Sequence, residues 1–160
     1  MKGLFMRSSL LALALLATPL MAEDSDHLAE ANGLRVLHAW TPATAQGSDA
    51  LIYLDVENTS AAEALLTGGA AMETALDLVG FSYGAGGENW TVLPGLPVPP
   101  GGGVLLEPQV LALRWQSVPQ ALIEGAEVEI EVMVGTETLT THVEIGAADA
   151  TAHSHAGHSH

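Results

Sequence analysis

The sequence predicts an all-β fold, an antiparallel β-sandwich, and three observations carry that prediction. The run ALIYLDVEN (residues 50–58) sets Ala50, Ile52, Leu54 and Val56 on one face against Tyr53, Asp55 and Glu57 on the other. The run EVEIEVMV (residues 127–134) does the same with Val128, Ile130, Val132 and Val134 against Glu127, Glu129 and Glu131. Period-two alternation with one apolar face marks antiparallel strands half-exposed to water. Third, turn residues recur at short spacing, at Asn58-Thr59-Ser60, residues 84–87, Pro94-Gly95 and residues 99–103. Many short strands broken by Gly and Pro turns form a sandwich or barrel.

Residues 1–22 read as a secretory signal peptide. Lys2 and Arg7 make a positive start, residues 10–16 are a pure Leu/Ala run, Pro19 ends it, and Ala22 is a small residue before a cut. The apolar run is short for a bilayer span. No second long apolar stretch follows, so a soluble periplasmic protein with no membrane span in the mature chain is expected. Residues 23–33 (EDSDHLAEANG) read as a flexible acidic arm.

The sandwich domain is expected over residues 34–146. Besides the two clear strands, TLTTHVEI (residues 138–145) places Leu139, Thr141, Val143 and Ile145 on one side. The segment Gly135-Thr136-Glu137 before it is a hairpin-length connection. Weaker strand candidates are LRVLHAW, AEALLTG, TALDLVGF, WTVLPG and VLLEP, and residues 118–123 are a short helix-like stretch. Residues 147–160 are small and polar and read as a disordered, His-rich tail. About 115 residues remain for a core, enough for one domain without staples. The chain has no cysteine, which excludes disulfides, thiolate ligands and Cys catalysis.

Once residues 1–22 are removed, Arg35 and Arg114 are the fixed cations against 19 acids, a net of −17. Such a charge disfavours nucleic acid and anionic membranes and favours cations or a basic protein surface. No nucleophile elbow, P-loop or dinucleotide-binding glycine motif occurs. Gly84, Gly86 and Gly87 fit a turn between strands. Glu127, Glu129 and Glu131 fit a solvated strand face. The expectation is a protein that is not an enzyme.

The chemistry-bearing stretch is the end of the chain, HSHAGHSH. His153, His155, His158 and His160 are four of the seven histidines. Imidazole binds Cu(II), Zn(II) and Ni(II) strongly. Ser154, Ala156, Gly157 and Ser159 are small enough to let the segment wrap an ion. Elsewhere, His142 shares an outward face with Thr140 and Glu144. His38 lies two residues before Trp40, where packing or a hydrogen bond is expected of it. His27 sits in the acidic arm, and Met133 is expected in core or edge packing.

The run LRVLHAWTPATAQGSDALIYLDVENTSAAEALLTGGAA resembles the opening of periplasmic copper chaperones of the PCu(A)C type. The resembling pieces are His38-Ala39-Trp40, the loop at 41–47, the strand at 50–56, Asn58-Thr59 and residues 66–69. Downstream, VPPGGGVLLEP and ALIEGAEVEIEVMV resemble that family's later turn and strand. The resemblance spans residues 34–145 and implies a cupredoxin-like β-sandwich. It also implies copper as cofactor, and a cytochrome oxidase subunit or an assembly factor as partner. The family holds Cu(I) through His and Met, in part by an H-x-M pair on the strand after the "L-x-P" turn. Here Ala112 and Arg114 fall at the pair's positions, and TALDLVGFSY carries no counterpart of an earlier family His. The metal ligands are therefore expected to be His153, His155, His158 and His160, with copper as the expected ion and zinc or nickel as alternatives. A metal-free protein-interaction module on the same sandwich is the other reading.

Overall fold

The computed structural model describes residues 28–152. They form eleven strands and no helix. In chain order these are β1 (Leu28–Ala31), β2 (Leu34–Pro42), β3 (Ala50–Asn58), β4 (Ala64–Ala71), β5 (Thr74–Gly84), β6 (Gly87–Val92), β7 (Leu96–Val98), β8 (Gly102–Leu106), β9 (Leu111–Trp115), β10 (Glu127–Val134) and β11 (Glu137–Gly146). The order across the sheet is β1-β2-β11-β10-β4-β5-β9-β3-β8, and a β2–β3 pairing closes it on itself. The pairings are antiparallel except β11 with β2. Closure leaves the core strands without a free edge.

The alternation read from the sequence decides the inside. Ile52, Leu54, Val56, Ile130, Val132, Val134 and Val143 are at most 1% exposed and share one core with Leu113 and Trp115. The connection at Gly135 is a two-residue hairpin, Val134 pairing with Glu137. Gly84 pairs with Gly87 across the β5–β6 turn.

Four expectations need correction. The arm assigned to residues 23–33 contains β1, because Asn32-Gly33 is a hairpin turn. Both residues have positive φ, 51° and 80°, and Ala31 pairs with Leu34. Asn-Gly favours such two-residue turns. The helix-like stretch at residues 118–123 is irregular and joins the rest through a Thr44–Leu122 bridge. Pro119 lacks an N–H, and six residues are too few to propagate a helix. Met133 points outward with the β10 glutamates and is 39% exposed. Finally, the segment assigned to the tail begins with ordered contacts, since Ala150 packs against a buried cluster and its N–H donates to the Ala147 carbonyl at 3.0 Å.

The turn after β3 shows how local sequence locks the frame. Asn58 is 1% exposed. Its Nδ2 donates to the carbonyls of Ala62 (2.8 Å) and Val98 (2.9 Å). Its Oδ1 accepts from the Ser60 N–H (3.0 Å) and hydroxyl (2.6 Å). A buried amide with all these bonds made ties β3 to β7 and rigidifies the corner.

Candidate metal centre

The positions where the resemblance puts an H-x-M pair lie on β9. Ala112 is fully buried, and Val79 on β5 is its register partner. With Trp40 and Tyr53 they form a second cluster, on the face of the sheet opposite the main core. Leu51, Trp90 and Ala150 pack around it. The Trp40 and Tyr53 rings are 4.8 Å apart, tilted by 41°. Burial pushes the Tyr53 hydroxyl above its ordinary pKa, and the Glu88 carboxylate adds to the rise. Arg114 Nη2 donates to Asp77 Oδ2 at 3.1 Å, and Gln116 Nε2 donates to the same oxygen at 2.6 Å. No nitrogen or sulfur donor suited to a soft cation stands at either pair position, and the guanidinium would repel one.

A different histidine has a local setting suited to a ligand. Between Leu37 and Trp40 the β2–β3 register shifts, so His38 and Ala39 together oppose Leu54. This is a β-bulge, which re-aims a side chain. His38 takes a φ of 53°. Ala39 turns into the core at 1% exposure, while the His38 side chain stays 55% exposed. His38 Nδ1 lies 3.1 Å from Asp55 Oδ2 on β3. A carboxylate beside a ring nitrogen orients the imidazole, as in the carboxylate–histidine pairs behind many metal sites. The expected hydrogen-bonding role of His38 is thus present, although its ring packs little.

His38, Trp40, Asp55, Glu107, Thr151 and Ala152 line a cavity of about 280 Å³. His142 is elsewhere, on β11 opposite Glu129, with Nε2 3.8 Å from Oε2. Met72 is 50% exposed in the β4–β5 turn. Among the described residues no three His, Asp or Glu side chains are grouped so as to hold a metal ion. The predicted ligands His153, His155, His158 and His160, together with His27, lie outside the described residues. The sequence reading missed the bulge at His38 and the seating of residues 150–152. The first has no period-two signature. The second had a signal in the small apolar residues Ala147, Ala148, Ala150 and Ala152.

No protein-family model matches this sequence, and no curated protein does. Solved structures do. The apo PCuAC domain of PmoF2 superposes with a TM-score of 0.62 at 16% identity, over 78% of this chain and 98% of that one. The copper-bound PCuAC domain from PmoF2 gives 0.62 at 16% identity, over 76% and 98%. The apo PCuAC domain from PmoF1 gives 0.62 at 18% identity, over 76% and 99%. At such identities the likeness is one of fold, and it agrees with the strand order and core described above. The chain has a PCuAC-like, cupredoxin-like all-β fold.

Proposed function

We propose that this chain is an exported, periplasmic copper-binding protein, a chaperone that takes its ion through His153, His155, His158 and His160. One observation carries the reading. In a fold shared with a copper-bound PCuAC domain, the two pair positions hold Ala112 and the ion-paired Arg114, while four histidines follow Ala152 in the sequence. Residues 1–22 support export, and the mature charge of −17 attracts a cation.

On this reading the protein is a carrier and not an enzyme, and its chemistry is ligand exchange. Neutral imidazoles replace water on the ion, so each must first lose its proton. Affinity falls as pH drops below about 6.5. A chaperone's site should trade tightness for quick loading and unloading. That suits delivery to a recipient such as an oxidase subunit or an assembly factor.

The test is a Cu(II) titration of the mature protein and of a chain ending at Ala152. Loss of most binding in the shortened chain is the expected result. Equal binding by both would overturn the tail as the site. Competition with Zn(II) and Ni(II) decides the cargo, and the proposal requires copper to displace both.

A further inference from the structure

We infer that the open edge and aromatic face of β6 dock an extended segment of a basic partner protein, which adds to the sheet as one more strand. The inference does not depend on the metal reading above, and it is tested without metal.

The edge follows from the hairpin register. β6 pairs with β5 alone among the described strands. Asn89 stands opposite Ser82, Thr91 stands opposite Gly80, and the Leu93 N–H donates to the Leu78 carbonyl at 2.8 Å. Bonded residues alternate along an antiparallel strand, so Asn89, Thr91 and Leu93 turn their backbone groups toward β5. Glu88, Trp90 and Val92 turn theirs away from it, and among the described residues no other strand meets them. Such a row is a template for another strand, and native sheets guard it with lysine, proline or a bulge. β6 (GENWTV) has neither lysine nor proline, and its register with β5 runs without a shift.

The side chains define the strand that fits. Val92, Trp90 and Glu88 pair with Val79, Phe81 and Tyr83, so all six share one face of the ribbon. The Phe81 and Trp90 rings meet edge to face, 5.1 Å apart at 62°. Trp90 packs on the buried Trp40–Tyr53 cluster, which gives the ribbon a firm backing. Around this pair Val92 is 53% exposed and Tyr83 77% exposed. Adjoining exposed aromatic and aliphatic side chains mark an interaction surface. A strand laid along β6 sets alternate residues on the same face. Apolar residues belong opposite Trp90 and Val92, and Lys or Arg belongs opposite Glu88.

Charge decides between a second copy and a different protein. The mature chain carries −17, so two copies repel, while a basic protein is drawn in.

The experiment follows the amide signals of the full, isotope-labelled mature chain in metal-free buffer. The probe is an acetylated and amidated peptide, Lys-Val-Thr-Val-Thr-Lys-Thr. Laid antiparallel to β6, its valines fall opposite Val92 and Trp90 and its second lysine opposite Glu88. Binding should slow hydrogen exchange at the Glu88, Trp90 and Val92 amides. Asn89 and Thr91, already turned to β5, should change little. Methylating the backbone nitrogen of the central valine removes one bond to β6 and should weaken binding about five- to ten-fold. Val92→Lys puts a cation on the edge and should weaken it about ten-fold. Ile123→Lys makes the same charge change at an exposed site outside the ribbon and should leave affinity within about two-fold. Circular dichroism verifies folding of both variants. No binding at millimolar peptide would overturn the inference. So would unchanged exchange at the three amides, or an N-methylated peptide that binds as well as its parent. The same holds if those amides are already protected in the free protein, whether by a second copy, seen as a doubled mass in sedimentation, or by another segment of this chain. Failure of copper binding bears on none of these outcomes.

Discussion

Val79 and Ala112 face each other across β5 and β9, both fully buried beneath Trp40 and Tyr53. An imidazole at position 112 would need the space those two rings fill. Ala112→His in the chain ending at Ala152 should cost about 1–3 kcal/mol through overpacking. It should also fail to create a tight copper site, since Arg114 remains two residues away. Chemical denaturation measures the first and a Cu(II) titration the second. A tight copper site with undiminished stability would contradict this account.

The raised pKa of Tyr53 has a pH consequence. Its phenol is neutral in both folded and unfolded chains below the ordinary value of 10.0, so it adds no pH dependence there. Above that value the unfolded chain ionises first, while the folded chain must ionise a buried group beside Glu88. Stability present below pH 10.0 is thus lost as pH rises through the folded-state pKa. Thermal melts across the alkaline range should fall less steeply for Tyr53→Phe than for the native protein. Parallel curves would show that Tyr53 is not the group responsible.

Asn58 anchors the corner through two carbonyls and Ser60. Asn58→Ala removes the amide donor from the buried Val98 carbonyl and the Oδ1 acceptor from the Ser60 N–H, while the exposed Ala62 carbonyl keeps the Ser60 hydroxyl. At about 1–3 kcal/mol per unsatisfied group, with partial relaxation, a loss of about 2–4 kcal/mol is expected. Urea denaturation should show this as a lower midpoint with an unchanged slope. A loss below about 0.5 kcal/mol, the range of ordinary surface substitutions, would mean that water replaces the amide.

The sandwich was legible because strand period and burial coincide. Ile52, Leu54, Val56 and the β10 valines announce their face in the sequence and occupy it in the fold. The Leu66-x-Gly68 piece of the family resemblance also has a structural cause. Gly68 has a φ of 142°, and a Cβ there would sit 2.6 Å from the Leu76 carbonyl oxygen. The second cluster was hidden. Tyr53 alternates outward as the pattern says, yet it is 5% exposed because Trp40, brought round by the bulge, covers it. A bulge changes which residues share a face without altering composition, so periodicity alone does not find it. β1 was legible in principle from Asn32-Gly33, but the acidic residues before it favoured reading an arm.

The seating of residues 147–152 gives the last prediction. These residues were expected to be a tail that contributes nothing to the folded domain. Instead Ala150 packs against the second cluster, and Thr151 and Ala152 line the cavity beside Trp40. Two truncations separate the roles. A chain ending at Ala152 removes the four histidines and keeps every contact described above, so its melting temperature in metal-free buffer should match the full mature chain within about 1 °C. A chain ending at Gly146 uncovers the cluster, and burial at about 0.8 kcal/mol per CH₂ makes the expected loss about 1 kcal/mol. For a domain of this size that is a fall of about 3–6 °C. Equal melting temperatures for the two truncations would show that residues 147–152 do not bear on the Trp40 face.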